Sequence, residues 1–314
     1  RDSTGRKLSK SLGNSPDPIE LFEKYGTDAT RFSIMLMSPQ GSDVYFSENG
    51  LEIGRNFMNK IWNASRFIMI NHDDSFNDTI DKDSLDIYDR WILSELDTTL
   101  QKVDTHYNNY QFNEAIKVIY DFTWNEFCNW YIEIAKIKFN SSDKKEKNNA
   151  FLVAREVLKK VLLILHPIAP FITEEIWSYL KNDSDKDIII SSWPNIGTDS
   201  LEYDEDKVIL LKEVIVAIRT IRSELNVAPT KKVSASIAIK NIEDESLFHS
   251  LQSMIMALTN LEELKIEINL KKPEQSAVGI CKNCVVYVPL GDLVDPKEEI
   301  LKLNKRLKDI EGFI

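Results

Sequence analysis

The sequence is poor in cysteine, histidine and glycine, with three, four and ten of these residues among 314. Three cysteines cannot form the disulfide framework of a small secreted domain, so the composition favours a reducing, cytoplasmic setting. No apolar run approaches the roughly 20 residues that a membrane-spanning helix needs, and no signal peptide is recognisable. We therefore expect no membrane partner and no fold that depends on several disulfides.

Basic residues are also outnumbered, with 39 lysines and arginines against 50 acidic residues and a net charge of −11. This balance excludes a generally basic nucleic-acid coat. It leaves room for a local basic stripe, because salt screens surface charges beyond about 10 Å. The length is sufficient for two domains with a sizeable core.

A basic loop is present near the N-terminus, at residues 5–14. It contains Lys7 and Lys10, whose ammonium groups are compact donors, and Ser9 and Ser11, whose hydroxyls add hydrogen bonds. These residue types suit a polyphosphate on which charge develops during phosphoryl or nucleotidyl transfer. Three cations in ten residues are also typical of a solvated basic turn.

The order of the residues distinguishes these two interpretations. Lys7-Leu8-Ser9-Lys10-Ser11 resembles the second signature of class I aminoacyl-tRNA synthetases, Lys-Met-Ser-Lys-Ser, with Leu8 as a near-isosteric replacement. In that family the loop closes over ATP, which acts with Mg²⁺, and stabilises pyrophosphate during amino-acid adenylation. The resemblance implies ATP binding by Lys7, Ser9, Lys10 and Ser11. It gives Lys10 the main catalytic role and Lys7 a supporting one.

The stretch at about 47–70 has the 3.6-residue period of a long amphipathic helix. One of its faces carries Asn56, Lys60, Asn63 and Phe67. Amides can read base edges, an aromatic ring can stack on a base, and cations can hold phosphates, so this face suits single-stranded RNA. The same pattern is typical of an ordinary solvent-facing stripe with a buried phenylalanine.

The family resemblance favours the RNA interpretation. In valyl-type class I synthetases, the helix that corresponds to this stretch lies against the anticodon. The implied anticodon-binding residues are Arg55, Asn56, Asn59, Lys60, Asn63, Arg66 and Phe67. Among them, Lys60, Arg66 and Phe67 are expected to contribute most.

Further amphipathic patterns predict helices at about 17–25, 27–38, 85–107, 112–139, 148–166 and from Pro170 onward. The aromatic residues Trp124, Phe127, Trp130 and Tyr131 have helical spacing among apolar neighbours, which predicts that they are core residues. His166 is predicted to be a structural residue at a helix end. This helical run resembles the anticodon-binding bundle of valyl, isoleucyl and leucyl synthetases.

After a polar linker at about 195–205, the pattern changes. A helix at 204–225, a strand at 232–240 with alternating polarity, a helix at 243–258 and strands at 262–268, 276–281 and 284–289 predict a small α+β module. Arg219 and Arg222 are predicted to be exposed and to contact the RNA backbone. Cys281 and Cys284 have the spacing of half a zinc site, but zinc normally needs four ligands, so no metal site is predicted.

The last segment, from about residue 292, has apolar residues at coiled-coil spacing, at positions 300, 303, 307 and 310. It resembles the start of the C-terminal coiled-coil arm of valyl-tRNA synthetases, which contacts the outer corner of tRNA. Lys302, Lys305 and Arg306 are the implied backbone contacts, and an ordinary solvated helix face explains them equally well. The four-cysteine terminal module that isoleucyl enzymes often carry is absent from the sequence.

These features predict a mainly α-helical chain. Its expected parts are the signature loop with stem helices of the catalytic domain at 1–46, an anticodon-binding helical bundle at 47–195, a small α+β domain at 196–291, and the first helix of a truncated arm at 292–314. The resemblance implies tRNA(Val), ATP and valine as partners of an intact, monomeric enzyme.

No histidine occurs in the His-x-Gly-His pattern of the first class I signature. The chain is therefore expected to be a C-terminal fragment that binds tRNA and is inactive alone, with the nucleotide-binding fold outside it. Two alternatives remain at this point. One is a fragment of an isoleucyl enzyme, and the other is a non-enzymatic helical scaffold that binds proteins through apolar grooves.

Overall fold

The computed structural model describes residues 1–2, 4–76, 79–182, 185–196 and 201–291. The chain divides into two compact units, Arg1–Tyr203 and Asp204–Ile314, and the division falls inside the polar linker. The predicted arm, with Lys302, Lys305 and Arg306, lies outside the described residues. Within the described ranges, no helix is long and apolar enough to cross a membrane.

The described part of the first unit is helical, as the 3.6-residue apolar period predicts. Its α-helices are α1 Pro18–Tyr25, α2 Thr27–Leu36, α3 Glu48–Ile70, α4 Ile87–Asn108, α5 Phe112–Asp121, α6 Ile132–Phe139, α7 Lys144–Leu165 and α8 Pro170–Leu180. Short 3₁₀ turns cover Lys10–Leu12, Lys82–Ser84 and Ile188–Ile190. The Asp17 carboxylate accepts from Ile19 N at 2.8 Å and Pro18 begins α1, so the predicted helix start is confirmed.

Helices α2 and α3 pack closely at the core of this unit. The rings of Phe32 and Phe57, both fully buried, stack with centroids 4.6 Å apart. A Cβ at Gly54 would overlap Ala29 O and Ser33 Oγ, so only glycine permits this approach of the two backbones. The contact fixes α3 against the segment that follows the basic loop.

The start of α8 is capped from a distant part of the chain. Its own N-cap position is Ala169, which has no capping side chain. Instead, Asp28 Oδ2 of α2 accepts from Ile172 N at 2.6 Å. Arg31 Nε donates to Ile168 O at 2.9 Å, on the other side of the α7–α8 joint. Burial raises the pKa of the Asp28 carboxyl, and the interaction binds α2 to the helical bundle.

His166 lies at this joint as a structural residue, as predicted. Its Nδ1 is 2.7 Å from Thr173 Oγ1 in the first turn of α8. Burial lowers the pKa of the imidazole.

The helix predicted at 112–139 contains a π-helical segment, Phe122–Tyr131, between α5 and α6. Phe127 and Tyr131 are buried as predicted, whereas Trp124 and Trp130 are only half-buried, so the core prediction is wrong for these two. Backbone hydrogen bonds in a π-helix join residues five apart, so its side chains do not keep the α-helical spacing on which the prediction relied.

A buried ionic network joins α6 to the start of α4. The Nζ of Lys138, whose side chain is 1% exposed, is 2.7 Å from Asp89 Oδ1 and 2.8 Å from Asp86 Oδ2. Tyr131 OH donates to Asp89 Oδ1 at 2.7 Å. Burial raises the pKa of the Asp89 carboxyl and raises the pKa of the Tyr131 hydroxyl. Asp86 also caps α4, since it accepts from Tyr88 N and Asp89 N.

The second unit has the predicted α+β pattern. Its elements are α9 Glu205–Glu224, β1 Val233–Ile239, α10 Glu245–Thr259, β2 Leu261–Ile268, β3 Ser276–Ile280 and β4 Cys284–Pro289, with a 3₁₀ turn at Ile242–Asp244. The strand order is β2-β1-β4-β3, in which β1 and β2 are parallel and the other pairs are antiparallel. Helix α10 connects the parallel pair, because parallel neighbours need a crossover.

Cys281 and Cys284, which have the spacing of half a zinc site, flank the β3–β4 turn, where Cys281 N donates to Cys284 O at 3.0 Å. Both are free and buried, and a hydrogen bond from the Cys284 thiol lowers the pKa of Cys281. Among the described residues, no group of three or more acidic, histidine or cysteine side chains is placed to hold a metal ion.

Candidate nucleic-acid interface

The basic loop is held in place by Asp2. This carboxylate accepts from Asn14 Nδ2 at 2.9 Å, from Thr4 N at 3.0 Å and from Arg6 N at 2.9 Å. The hydrogen bonds from Asn14 and Thr4 hold the pKa of Asp2 well below its usual range. Because this pKa is lowered by folding, the cluster is complete at neutral pH and is lost only as the pH falls into strong acid.

Asn14 closes the other end of the loop. Its Oδ1 accepts from Ser9 N at 2.9 Å, and its Nδ2 donates to Lys7 O at 3.2 Å. The hydroxyls of Ser9 and Ser11 lie 2.7 Å apart. These contacts organise the backbone and the serines and leave the lysine side chains exposed.

Lys7 and Lys10 are both exposed, and neither ammonium group forms an ion pair or hydrogen bond with a described residue. Lys10 begins the 3₁₀ turn that ends at Gly13, whose φ of 67° favours glycine. The loop therefore presents two available cations on an ordered backbone, which suits a polyphosphate ligand. The sequence identified the cations but gave no sign of Asp2, whose role depends on folding back over the loop.

We expect Asn14→Ala to open the loop. The substitution removes three hydrogen bonds, each worth about 1 kcal/mol, so trypsin should cleave after Lys7 and Lys10 roughly tenfold faster or more. Limited proteolysis followed by mass spectrometry measures this. Asn56→Ala, an exposed asparagine on α3, is the control, and equal cleavage rates for the two variants would contradict the anchoring role.

The second candidate site is the polar face of α3. Arg55, Asn56, Asn59, Asn63 and Arg66 are all exposed. The Arg55 guanidinium lies 3.7 Å from Glu52 on the same helix, an exposed pair that contributes little to stability. The structure therefore brings three amides and two guanidinium groups together on one solvent-facing side of a rigid helix.

Lys60 and Phe67 lie at the edge of this face and are half-buried. Lys60 Nζ donates to Asn129 Oδ1 at 2.9 Å. The Phe67 ring packs against Phe139 of α6 at 5.6 Å between centroids, and the Lys136 ammonium lies 5.7 Å from its centre. Phe67 is therefore neither fully buried nor fully exposed, because part of its ring faces solvent and part packs on α6.

The two arginines predicted to meet the RNA backbone have different surroundings in the second unit. Arg222 is 7% exposed, so the prediction that it is exposed is wrong. Its guanidinium donates to the carbonyls of Ala228, Pro229 and Lys231 at 2.8–3.3 Å, because the chain folds back over the end of α9. Arg219 is exposed and donates to Leu258 O at 3.1 Å.

Two family models match the chain. The model of class I tRNA synthetases (I, L, M and V) matches residues 1–47, which include the basic loop. The model of the anticodon-binding domain of tRNA ligases matches residues 89–239. Helix α3 lies between the two matched segments.

A valine–tRNA ligase of Fusobacterium nucleatum is 38% identical to this chain and aligns with 99% of it, which is 36% of the relative's length. The chain belongs to the valine–tRNA ligase family. A second member, from Clostridium tetani, is 40% identical over 97% of the chain and 34% of the relative. The chain thus spans about a third of the length of the family members it matches, and their alignments include α3.

Among solved structures, the fold is similar to that of LeuRS from Agrobacterium radiobacter K84, solved as a ternary complex with tRNA and LeuAMS. The TM-score is 0.52 with 21% identity over 74% of this chain and 30% of that one. At this identity the similarity concerns the fold. This similarity agrees with the mainly α-helical architecture that the sequence predicts for this chain.

Proposed function

We propose that this chain is the tRNA-binding part of an enzyme that joins valine to tRNA(Val) at the expense of ATP. The exposed polar face of α3 carries this proposal. It combines amides, cations and an aromatic edge in the arrangement that single-stranded RNA requires. In the protein as a whole, the anticodon would lie against this face, and we expect a cytoplasmic monomer.

The basic loop has a separate role in the proposal. Lys10 and Lys7 would neutralise the charge that develops on ATP as pyrophosphate leaves, and Ser9 and Ser11 would donate hydrogen bonds to the same group. ATP and its Mg²⁺ would be bound together with the nucleotide-binding fold of the intact enzyme. The loop supplies only part of that site, so we expect the 314-residue chain alone to bind tRNA without charging it.

Contacts to the RNA backbone are proposed at Arg219, which is exposed, and at Lys302, Lys305 and Arg306, which lie outside the described residues. Arg222 is not included, because all of its described contacts are to backbone carbonyls of its own unit.

We expect the combined variant Lys60→Ala, Arg66→Ala and Phe67→Ala to bind tRNA(Val) roughly 10- to 100-fold more weakly, since it loses two cations and one stacking surface. It should also lose discrimination against a tRNA with a different anticodon. Fluorescence anisotropy with labelled tRNA at several salt concentrations measures both effects.

The matched control removes two cations and one aromatic ring that do not belong to α3, as Lys102→Ala, Lys181→Ala and Tyr110→Ala. It should keep discrimination between the two tRNAs. If the wild-type chain binds both tRNAs equally, α3 does not read the anticodon. If the chain does not bind tRNA at low salt, the proposed function itself is wrong.

A further inference from the structure

The edge of the α3 face lies against the π-helical segment, and Lys60 contacts two side chains of that segment. Its Nζ is 2.9 Å from Asn129 Oδ1 and 5.3 Å from the centre of the Trp124 ring. Trp124 and Asn129 are five residues apart. In an α-helix, side chains share a face at spacings of three and four, whereas π-helical bonds join residues five apart. The π-helical geometry therefore places both side chains beside Lys60.

The Trp124 ring is both supported and accessible in part. It stacks on Tyr120 with centroids 5.6 Å apart and an interplanar angle of 17°. Tyr120 in turn packs on the core ring of Phe57 at 5.1 Å. A half-buried ring stacked on a second ring, which itself packs on the core, keeps its position, and a stacking platform for a base requires this.

The same arrangement occurs twice along α3. Lys60 lies over Trp124 near the middle of the helix, and Lys136 lies over Phe67 nearer its end. A base stacked on an aromatic ring is held more strongly than an ammonium group over an exposed ring. An RNA loop entering here would displace each lysine from its ring, and the freed ammonium group would then lie beside the phosphates of the same RNA.

We propose that Trp124 is a second base-stacking residue of the RNA site and that Asn129 hydrogen-bonds a base edge there, with Lys60 moving from both to a phosphate. This inference rests on the proposed function, and its ligand is a single-stranded RNA loop. The RNA site is then formed by two helices, with α3 as one wall and the π-helical segment as the other. The displacement explains how a paired lysine can still serve as a phosphate contact.

The first test compares tRNA(Val) binding by the full 314-residue chain and its Trp124→Leu, Trp124→Phe and Trp130→Leu variants. Loss of one stacked base should weaken binding by Trp124→Leu about 5- to 100-fold, and Trp124→Phe should recover most of it. The salt dependence should not change, because no cation is removed. Trp130→Leu, a half-buried tryptophan of the same segment, should bind as the wild type does.

A second measurement leaves the site intact. In protein labelled with 5-fluorotryptophan, the ¹⁹F resonance of Trp124, assigned from Trp124→Phe, should shift when an anticodon stem-loop RNA is added, and that of Trp130 should not. Wild-type affinity in Trp124→Leu together with an unmoved Trp124 resonance would overturn the inference. If Phe67→Leu still weakened binding in that case, the proposed function would stand, whereas absence of any RNA binding by the wild type would overturn both.

Discussion

Replacing Lys10 by alanine in a full-length enzyme is expected to lower the rate of valine-dependent ATP–pyrophosphate exchange by about 10²- to 10³-fold, the usual effect of removing one group that stabilises developing charge. The Lys10 ammonium is exposed and has no described partner, and the backbone on either side is ordered by Asp2 and Asn14. The affinity for ATP should change much less, because the charge on pyrophosphate grows in the transition state.

Lys24→Ala is the matched control, since it removes another exposed lysine a short distance along the chain. Lys24 Nζ forms an exposed ion pair with Glu48 at 2.7 Å, and such a pair contributes little to stability. The exchange rate of Lys24→Ala should therefore lie within about twofold of the wild-type rate. A Lys10→Ala enzyme with the wild-type exchange rate, or one defective only in ATP binding, would contradict the assigned role.

Lys138→Met is expected to destabilise the first unit by about 3–5 kcal/mol, the usual cost of removing one partner from a buried ion pair. The substitution leaves the Asp89 carboxylate buried beside Asp86, with the Tyr131 hydroxyl as its one remaining side-chain donor among the described residues. The loss of stability comes from the uncompensated charge of Asp89, so it exceeds the net contribution of the ion pair to the stability of the wild type.

Urea unfolding followed by tryptophan fluorescence measures this effect cleanly, because all six tryptophans belong to residues 1–203 and report on that unit alone. The control is Lys136→Met, two positions away, where the exposed pair with Glu133 should contribute no more than about 1 kcal/mol. Equal unfolding midpoints for the two variants would show that the network has no such role.

The pattern of apolar residues was sufficient to predict most elements. The period along α3 and α7 identified long helices, and the alternation from Val233 to Ile239 identified a strand, because each element buries one face. The loop was identified by the order of its lysines and serines, which depends on no contact elsewhere. These features depend only on residues close together in the chain, so they can be recognised from the sequence alone.

Two of the contacts that were missed join residues far apart in the chain. Nothing near Ala169 indicates that Asp28 caps α8, and nothing near Lys138 indicates a buried partner at the start of α4. Arg222 has the spacing of an outward residue, and it is buried only because the following turn folds over it. The π-helical segment was also missed, because its sequence has the pattern of an ordinary amphipathic helix.

Under the proposed function, the attachment of α2 affects selection among transfer RNAs. Asp28 and Arg31 hydrogen-bond to both sides of the α7–α8 joint, and Gly54 lets α3 pack directly on α2. Helix α2 begins only a short stretch of chain after the loop. In the proposed function, this attachment fixes the spacing between α3, which would bind the anticodon, and the loop lysines, which would bind ATP. A tRNA with matching bases on α3 but of the wrong length would then not place its other end at the ATP site.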